Sequence, residues 1–340
     1  MKVIEETKLD FKDVCIVPKV TSATSRKDVN LTVQHLTLHG KQTIRGVPII
    51  TANMSAVSTF KMASALANHE MFTALHKHYG LFELLDWYRM VNDHVKKHTF
   101  ITFGMADFDK FQSFCDLEGA PKLICLDVAN GYMSEFHKFI SSVRKRARSS
   151  IILAGNVVTS DGCKAILDHG ADIVKVGIGS SAVCRTRKVA GVGVPQLSAI
   201  MDCYQTVQDM NGLMCSDGGC DEPGDFAKAF GAGAQFVMAG TMFSGHTECG
   251  GEIIDGKMAF YGMSSEAAMN KHHGGMEKHR ASEGIYTMVE HKGPVENTVN
   301  HILGGLRSAG SYINALNLRD FERQTTFVRV NRTYNNKFGD

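Results

Sequence analysis

A cysteine next to cationic side chains is the strongest candidate for chemistry in this chain of 340 residues. Cys184 lies in the glycine- and serine-rich segment 177–199, with Arg185 and Arg187 directly after it. Positive charge beside a thiol favours the thiolate, the form that attacks electrophilic carbon. A cysteine chosen at random is more often a small apolar core residue. The polar loop around Cys184 therefore indicates that this cysteine is a nucleophile and not a core residue.

Thr186 and Glu283 are candidates for moving a proton at the same site. Thr186 lies two residues beyond Cys184, and Glu283 lies far along the chain in RASEG (280–284). A hydroxyl beside a nucleophile can exchange a proton with substrate or water when a carboxylate relays it. The alternative is that Thr186 only stabilises a turn. The relay requires a fold that brings Glu283 onto Cys184.

Segments rich in glycine and hydroxyl groups are the candidates for nucleotide recognition. They are SDGG (216–219), AGT (239–241) and GMSS (262–265). Backbone N–H groups after barrel strands and at helix N-termini commonly bind phosphate. Asp217 is suited to accept hydrogen bonds from ribose hydroxyls, although an acid in such a position also caps helices and turns.

The remaining histidines and cysteines give weaker signals. In HKHY (76–79), Lys77 supplies an ammonium for a phosphate or carboxamide, and the flanking histidines have no partner cluster for a metal. The nine cysteines lack CxxC and Cys/His ligand spacing, which argues against a disulfide framework or a structural zinc site. We expect core packing for Cys125 and Cys215 in strands, and for Cys115, Cys163 and Cys203 in helices.

The elements that would position these residues are visible as eight short apolar runs. Each run is followed by a polar stretch with helical periodicity. The runs span residues 47–54, 72–77, 99–104, 123–130, 150–158, 172–179, 212–219 and 234–242. Continuous apolar runs are typical of parallel strands that are buried on both faces. The alternative is a doubly wound open sheet, but no GxGxxG follows the first run. The pattern predicts an α/β fold, a (β/α)8 TIM barrel with its chemistry at the carboxyl ends of the strands.

We expect one barrel domain over residues 1–340, a size that barrels with long loops reach. Its additions would be an N-terminal extension (1–46), a catalytic cysteine loop (180–195), a flap insertion (243–293) and a C-terminal tail (318–340). Long insertions at the catalytic face usually act as lids or binding loops. The tail is expected to fold onto the body of the protein or onto a neighbour.

Composition restricts the partners. A formal net charge of +2 provides no general field for holding nucleic acid or anionic lipid, so we expect small phosphates bound by local groups and no nucleic-acid or membrane partner. The acidic and polar segment 1–13 does not resemble a signal peptide, and no run of 18 apolar residues occurs. We expect a cytosolic protein.

From residues 9–19 to 325–330, the chain resembles the IMP dehydrogenase and GMP reductase superfamily, and within it the reductase branch. The matching motifs are HKHY (76–79), LDVANGY (126–132), AGNVVT (154–159), ADIVKVGIG (171–179), SDGG (216–219), YGMSSE (261–266), RASEG (280–284), GPVENT (293–298) and LGGLRSA (303–309). The dehydrogenase branch usually carries a CBS domain pair after the second strand and an Arg-Tyr pair in the flap. Here only residues 82–94, predicted as a short helix, fill that gap, and RASEG resembles the reductase flap.

The resemblance implies reduction of GMP by NADPH to IMP and ammonia, as in purine nucleotide interconversion and salvage. Cys184 would form a covalent thioimidate, while Thr186 and Glu283 would move the proton for the leaving amine. Two alternatives stay open: NAD-dependent oxidation of IMP, and a purine-binding barrel without catalysis. The presence of Cys184, Thr186 and Glu283 argues against the second, because sensing needs none of them.

The resemblance also implies contact residues. The nucleotide site would comprise Asp217, Gly218, Gly219, Gly240, Thr241, Gly262, Met263, Ser264, Arg280, Ala281, Ser282, Glu283 and Gly284. The NADPH site would comprise Asp127, Val128, Ala129, Ile178, Gly179, Met263, His279, Arg280, Ser308, Ala309, Gly310 and Ser311. In a homotetramer with shared cofactor sites, a neighbouring subunit would add Ser25, Arg26 and Lys77.

A potassium ion is implied at the cysteine loop, held by the backbone carbonyls of Gly179, Ser181 and Cys184, with Arg187 nearby. The superfamily commonly has glycine where this chain has Ser181 and Thr241. The cation site therefore requires a backbone conformation at Ser181 that an L-residue can adopt. At the second position, the Thr241 hydroxyl could donate to the phosphate.

Overall fold

The computed structural model describes residues 3–275, 277, 279 and 281–331. Its N-terminal segment contains β1 (Val14–Ile16), β2 (Val33–Leu36) and β3 (Thr43–Gly46). β2 and β3 pair as an antiparallel hairpin. Ile44 of this hairpin joins the apolar cluster inside the barrel, so the hairpin closes the amino-terminal end of the strands.

Eight parallel strands close into the predicted barrel. They are β4 (Ile49–Thr51), β5 (Phe72–Ala74), β6 (Thr99–Phe103), β7 (Leu123–Asp127), β8 (Ile151–Val157), β9 (Ile173–Val176), β10 (Leu213–Asp217) and β11 (Phe236–Ala239). Each strand lies within one predicted apolar run. β11 pairs with β4, so the sheet has no free edge, and the open doubly wound alternative is excluded.

Helices surround the strands. They are α1 (Phe60–Ala67), α2 (Leu81–Met90), α3 (Asp93–Lys96), α4 (Phe108–Glu118), α5 (Ser134–Arg146), α6 (Ser160–Asp168), α7 (Thr186–Val189), α8 (Gln196–Asp209), α9 (Pro223–Gly231), α10 (Glu266–His273), α11 (Glu296–Tyr312) and α12 (Phe321–Gln324). Single 3-10 turns occur at Phe11–Asp13, Arg26–Asp28, Met105–Asp107, Thr241–Phe243 and Leu318–Asp320. The helix predicted over residues 82–94 is divided in two, because Val91 is extended and the Asn92 side chain caps α3.

Side chains along the barrel strands alternate between the interior and the helix layer. In β9, Ile173 belongs to the interior cluster, whereas Val174 and Val176 pack against the helices. The cysteines predicted to be core residues are all buried: Cys115, Cys125, Cys163, Cys203 and Cys215. This alternation determines which polar side chains face the interior near the carboxyl end of the barrel.

Buried Asp172 ties the loop of the N-terminal hairpin to the barrel. Its carboxylate accepts backbone N–H groups of His39, Gly40 and Ile152 at 2.7, 2.9 and 2.9 Å. The Arg144 guanidinium donates to the same carboxylate at 2.5 Å. The fully buried carboxylate thus accepts hydrogen bonds from four donors, and one of these donors is a cation. Because its charge is compensated, it can stabilise this end of the barrel.

The predicted flap insertion forms its own antiparallel sheet. Its strands are β12 (Ile253–Ile254), β13 (Lys257–Tyr261) and β14 (Tyr286–Glu290). At the end of the described chain, β15 (Phe327–Arg329) pairs with β1, so this part of the predicted tail folds onto the body. The rest of the tail, 332–340, lies outside the described residues. Among the helices described, none is long and apolar enough to cross a bilayer.

Candidate active site

The predicted site residues follow the carboxyl ends of the barrel strands. Asp127 ends β7, Asp217 ends β10, and Gly240 directly follows β11. Parallel strands in a barrel end at one rim, so their following loops meet there. A cavity of about 620 Å³ opens at the other end, next to His35 and Leu213, and is lined by none of the predicted site residues. The chemistry of the loops, rather than cavity size, therefore locates the site.

Cys184, Thr186 and Glu283 form a continuous hydrogen-bonded chain. The Cys184 Sγ atom lies 3.2 Å from Thr186 Oγ1, and the Thr186 hydroxyl donates to Glu283 Oε2 at 2.7 Å. A threonine hydroxyl has one hydrogen. Because that hydrogen is donated to Glu283, the thiol is the donor to the Thr186 oxygen. This geometry can carry a proton from sulfur to the carboxylate.

Backbone pairing between the cysteine loop and the flap insertion brings these residues together. Cys184 forms an antiparallel bridge with Gly284. The Arg185 N–H donates to the Glu283 carbonyl at 2.7 Å, and the Ile285 N–H donates to the Val183 carbonyl at 2.9 Å. The flap insertion thus lies on Cys184, as the predicted relay requires.

Two glycines make this close approach possible. A Cβ atom on Gly284 would lie 2.7 Å from the backbone nitrogen of Ser265. A Cβ atom on Gly262 would lie 2.9 Å from the Val183 carbonyl oxygen. A side chain at Gly262 would force the loop and the flap apart, whereas one at Gly284 would displace the flap segment that is bridged to Cys184.

A buried lysine that the sequence analysis did not single out lies beneath the predicted ligand sites. The Lys175 side chain is 1% exposed, and its Nζ atom lies 2.6 Å from Asp127 Oδ1 and 3.4 Å from Asp217 Oδ2. Asn53 Oδ1 is also 3.4 Å from this ammonium. The available signal was a charged residue within the apolar strand run IVKV (173–176).

The charges in this cluster stabilise one another. Burial alone would lower the pKa of Lys175, but Asp127 and Asp217 hold it well above its ordinary value. Burial raises the pKa of Asp127, yet the ammonium groups of Lys175 and Lys77 reverse the effect and keep it below its ordinary value. The lysine is therefore protonated and Asp127 ionised at neutral pH.

Asp217 faces the barrel interior instead of capping a turn. Its Oδ2 atom accepts the Asn156 side-chain amide at 2.8 Å, in addition to its contact with Lys175. The two following glycines, Gly218 and Gly219, have φ values of 93° and 82°, which favour glycine. The Gly218 N–H donates to the Met238 carbonyl at 3.2 Å, so the tight turn is fixed to β11 beside an oriented carboxylate.

Comparison with known proteins assigns the family. A family model described as IMP dehydrogenase / GMP reductase domain matches residues 8–336. A GMP reductase of Escherichia coli (strain K12 / DH10B) and one of Shigella boydii serotype 4 (strain Sb227) are each 48% identical to the chain. Both alignments run over 349 positions and cover 99% of this chain and 100% of the relative. The chain belongs to the IMP dehydrogenase and GMP reductase family.

This family member has no CBS domain pair between its second and third barrel strands. After β5 the chain forms only α2 and α3 before it enters β6. The site must therefore be built by the barrel, its loops and the flap insertion.

The environment of Arg187 differs from the sequence expectation that it would support the thiolate. Its guanidinium donates to Asp10 at 3.0 and 3.3 Å and to the Val194 carbonyl at 2.9 Å. A Cβ atom on Gly179 or Gly193 would lie within 3.0 Å of the Arg187 stem. Because Asp10 offsets the charge, Arg187 braces the loop and does not supply an uncompensated cation to Cys184.

The cysteine loop meets the conformational condition for the predicted cation site. Gly179 has a φ of 80°, whereas Ser181 is not among the residues with positive φ. The Ser181 carbonyl accepts the Cys184 N–H at 2.9 Å and retains a second lone pair. Serine is therefore compatible with carbonyl ligation at this position.

Thr241 begins a 3-10 turn after β11, next to the acid Asp221. Burial and the nearby Asp225 raise the pKa of Asp221, and the neighbouring Thr241 hydroxyl partly offsets that rise. Donation from the Thr241 hydroxyl to a phosphate stays a prediction.

The predicted histidines belong to an aromatic contact between the barrel and the flap insertion. The His76 ring stacks on Tyr79 at 4.0 Å, and His78 stacks on His272 of α10 at 3.8 Å. His272 Nε2 lies 3.0 Å from Ser55 Oγ. Burial, followed by the neighbouring histidines, lowers the pKa of His76 to about 3. No cluster of three or more metal-ligating side chains occurs among the described residues.

The predicted cofactor residues fall on two surfaces. Asp127 and Lys77 lie at the barrel rim, whereas Arg26 and Ser308 line a separate cavity of about 400 Å³ beside α11. Neither Cys184 nor any other catalytic candidate lines that cavity. The predicted His279 lies 3.2 Å from Glu277. The predicted Arg280 lies outside the described residues.

Proposed function

We propose that this chain is a GMP reductase, which converts GMP and NADPH to IMP, ammonia and NADP. The observation that carries the proposal is the Cys184–Thr186–Glu283 chain, built on a barrel whose full-length relatives carry that name. A purine-binding barrel without turnover would need no thiol linked through a hydroxyl to a carboxylate.

The first step replaces the amino group of guanine with sulfur. The Cys184 thiol gives its proton through Thr186 to Glu283, and the thiolate forms a bond to carbon 2 of the base. Glu283 then returns the proton through Thr186 to the amino nitrogen, and the bond between carbon 2 and that nitrogen breaks. Ammonia leaves, and a thioimidate to Cys184 remains.

The second step restores the enzyme. Bound NADPH supplies a hydride to carbon 2. The bond between carbon 2 and sulfur then breaks, and the electron pair returns to Cys184 as IMP forms. A proton taken up from solvent restores the Cys184 thiol. The flap insertion, paired to the cysteine loop, keeps water from the thioimidate, which would otherwise be hydrolysed.

Ligand binding follows from the positions of the oriented groups. Asp217 would accept the ribose hydroxyls of GMP, and the glycine turns 218–219 and 240–241 would offer N–H groups to its phosphate. Asp127 would hold the nicotinamide end of NADPH. Lys77, expected from a neighbouring subunit, lies near Asp127 of the same chain, so we assign it to that chain's own site. The carbonyl groups of the cysteine loop suit a potassium ion, which would help to hold that loop in shape.

We further propose a cytosolic homotetramer with shared cofactor sites. Arg26 and Ser308 line a cavity that contains none of the catalytic candidates. Arg26 was expected from a neighbouring subunit and Ser308 from the same subunit, but because they share this cavity, both would contact NADPH bound at the barrel rim of a neighbouring subunit. Their separation from Cys184 within one chain supports this arrangement.

The deciding experiment combines wild-type enzyme with a Cys184→Ala variant. Wild-type enzyme given GMP and NADPH should consume NADPH, followed by its absorbance, and should release ammonia. The variant should bind GMP with unchanged affinity and lose turnover, because it has no nucleophile. Cys15→Ala, at a half-buried cysteine on β1, should keep wild-type activity.

Two results would contradict the proposal. Turnover of IMP with NAD, without consumption of NADPH in the presence of GMP, would assign the chain to the dehydrogenase branch. Unchanged turnover in Cys184→Ala would exclude covalent catalysis by this residue.

A further inference from the structure

We propose that Lys175 is a positioning residue that holds Asp127 and Asp217 together, so that the cofactor and nucleotide sites keep a fixed relative placement. The inference rests on the proposed function for assigning Asp127 to NADPH and Asp217 to GMP. Lys175 itself acts through these two acids.

The two-residue period of the strands places the three charged groups inside the barrel. Cys125 and Cys215 belong to the interior cluster. Asp127 lies two residues beyond Cys125, and Asp217 lies two residues beyond Cys215. Lys175 is likewise two residues beyond Ile173 in the same cluster. β7 and β10 lie on opposite sides of the β8–β9 pair, so a long side chain from β9 can reach both acids.

The hydrogen-bonding capacity of the ammonium matches its surroundings. A lysine ammonium has three donors. Three oxygen atoms surround Lys175 Nζ: Asp127 Oδ1 at 2.6 Å, Asp217 Oδ2 at 3.4 Å and Asn53 Oδ1 at 3.4 Å. With 1% of the side chain exposed, water does not compete for these contacts. Charge attraction in this environment is stronger than at the surface.

Close packing restricts the position of the lysine. A Cβ atom on Gly155 of β8 would lie 2.5 Å from the Lys175 carbonyl oxygen and 2.6 Å from its Cβ. On the other side, Cys215 of β10 is its partner in the strand register. The stem therefore has little freedom, and the ammonium is a fixed point to which both carboxylates are bound.

Hydride transfer depends on this kind of placement. The nicotinamide and the purine must meet with little error, and a displacement of about 1 Å can cost about 100-fold in rate. Without the ammonium, two half-buried carboxylates would repel each other and move apart. Both ligand sites would then change at once.

The test compares Lys175→Gln and Lys175→Met with single changes at each acid. Asp127→Asn should raise the KM for NADPH, and Asp217→Asn should raise the KM for GMP. Each lysine variant should raise both KM values and lower kcat/KM by about 100-fold. Calorimetric binding of GMP and of NADP should weaken in parallel. Lys164→Gln, at an exposed lysine paired with Asp168 on α6, should leave all of these values unchanged.

Several outcomes overturn the inference. The inference is wrong if folded Lys175 variants keep both wild-type KM values and both affinities. It is also wrong if the only change is a smaller fraction of active enzyme, with KM values and affinities unchanged.

If neither lysine variant folds, Asn53→Ala removes the third acceptor without removing charge. This variant should raise both KM values by about threefold or more, and unchanged values would also overturn the inference. A wild-type enzyme that does not consume NADPH contradicts the proposed function instead, while the binding measurements still test Lys175.

Discussion

At the scale of single residues, the site depends on how three side chains share protons. Thr186 donates to Glu283 and accepts from Cys184, so the carboxylate is the acceptor at the end of the chain. Arg187, three residues beyond the cysteine in sequence, is paired with Asp10. Activation of the thiol is therefore assigned to the relay, which links residues that are distant in sequence.

Glu283→Gln tests the relay. The amide can still accept the Thr186 hydrogen bond but cannot take up the thiol proton, so kcat should fall by about 100- to 10,000-fold. GMP affinity should stay close to wild type, because the shape of the site is kept. Steady-state kinetics with GMP and NADPH, together with calorimetry, measure both quantities.

The matched control for this variant is Glu290→Gln. Glu290 lies on β14 of the same insertion and pairs with Lys257 at the surface. Its activity should equal that of wild type. Equal activity of the Glu283 and Glu290 variants would show that the relay does not limit turnover.

At the scale of elements, the cysteine loop and the flap insertion act as one unit. Backbone bonds on both sides of the Cys184–Gly284 bridge hold them together, and the stacked ring of His272 links α10 to the loop after β5. The barrel supplies the rim, while the insertion supplies the carboxylate. A substitution that shifts the flap insertion relative to the cysteine loop would separate the Glu283 carboxylate from the Cys184 thiol without unfolding the barrel.

Gly284→Ala should disturb this pairing. Its new Cβ would lie 2.7 Å from the Ser265 nitrogen of the same insertion, so the segment around Gly284 must shift, and the bridge to Cys184 and the Glu283–Thr186 contact shift with it. We expect kcat/KM to fall by at least about 10-fold while the melting temperature changes little. Kinetics and thermal unfolding monitored by circular dichroism measure the two effects.

Gly224→Ala is the control for the added methyl group. No atom lies within 4 Å of a Cβ at this position on α9. This variant should keep wild-type kinetics. A Gly284→Ala enzyme with unchanged kcat/KM would show that the pairing tolerates the shift.

At the scale of the whole molecule, the first and last described strands pack onto the barrel domain. The N-terminal hairpin covers the amino-terminal end, and β15 returns to pair with β1. The His35 ring of this hairpin lies 5.8 Å from Phe236 of the barrel. Burial, followed by the charge of Arg319, lowers the pKa of His35 to about 4.

Stability should therefore fall in mild acid. In the folded state His35 and His76 have pKa values of about 4 and about 3, against 6.5 as the ordinary value. The unfolded chain thus binds protons that the folded chain does not, and stability is lost as pH falls from about 6.5 towards 4. Each group contributes up to about 1.4 kcal/mol per pH unit in this window.

Urea unfolding between pH 7 and pH 4.5 measures this dependence. His35→Gln should flatten the fall in the free energy of unfolding, because one titrating group is removed. His301→Gln, at an exposed histidine on α11, should keep the wild-type slope. An unchanged slope in His35→Gln would show that this histidine does not govern the acid loss.

The amino-acid sequence by itself determined the barrel and most of the candidate chemistry. Eight apolar runs predicted eight strands, and the polar loop around Cys184 indicated the nucleophile, because periodicity and local composition are properties of neighbouring residues. The tertiary structure decided which distant groups meet. It joined Glu283 to Thr186, paired Arg187 with Asp10, and set Lys175 between two acids. These contacts depend on barrel closure and on the path of the flap insertion, which residue spacing along the chain does not specify.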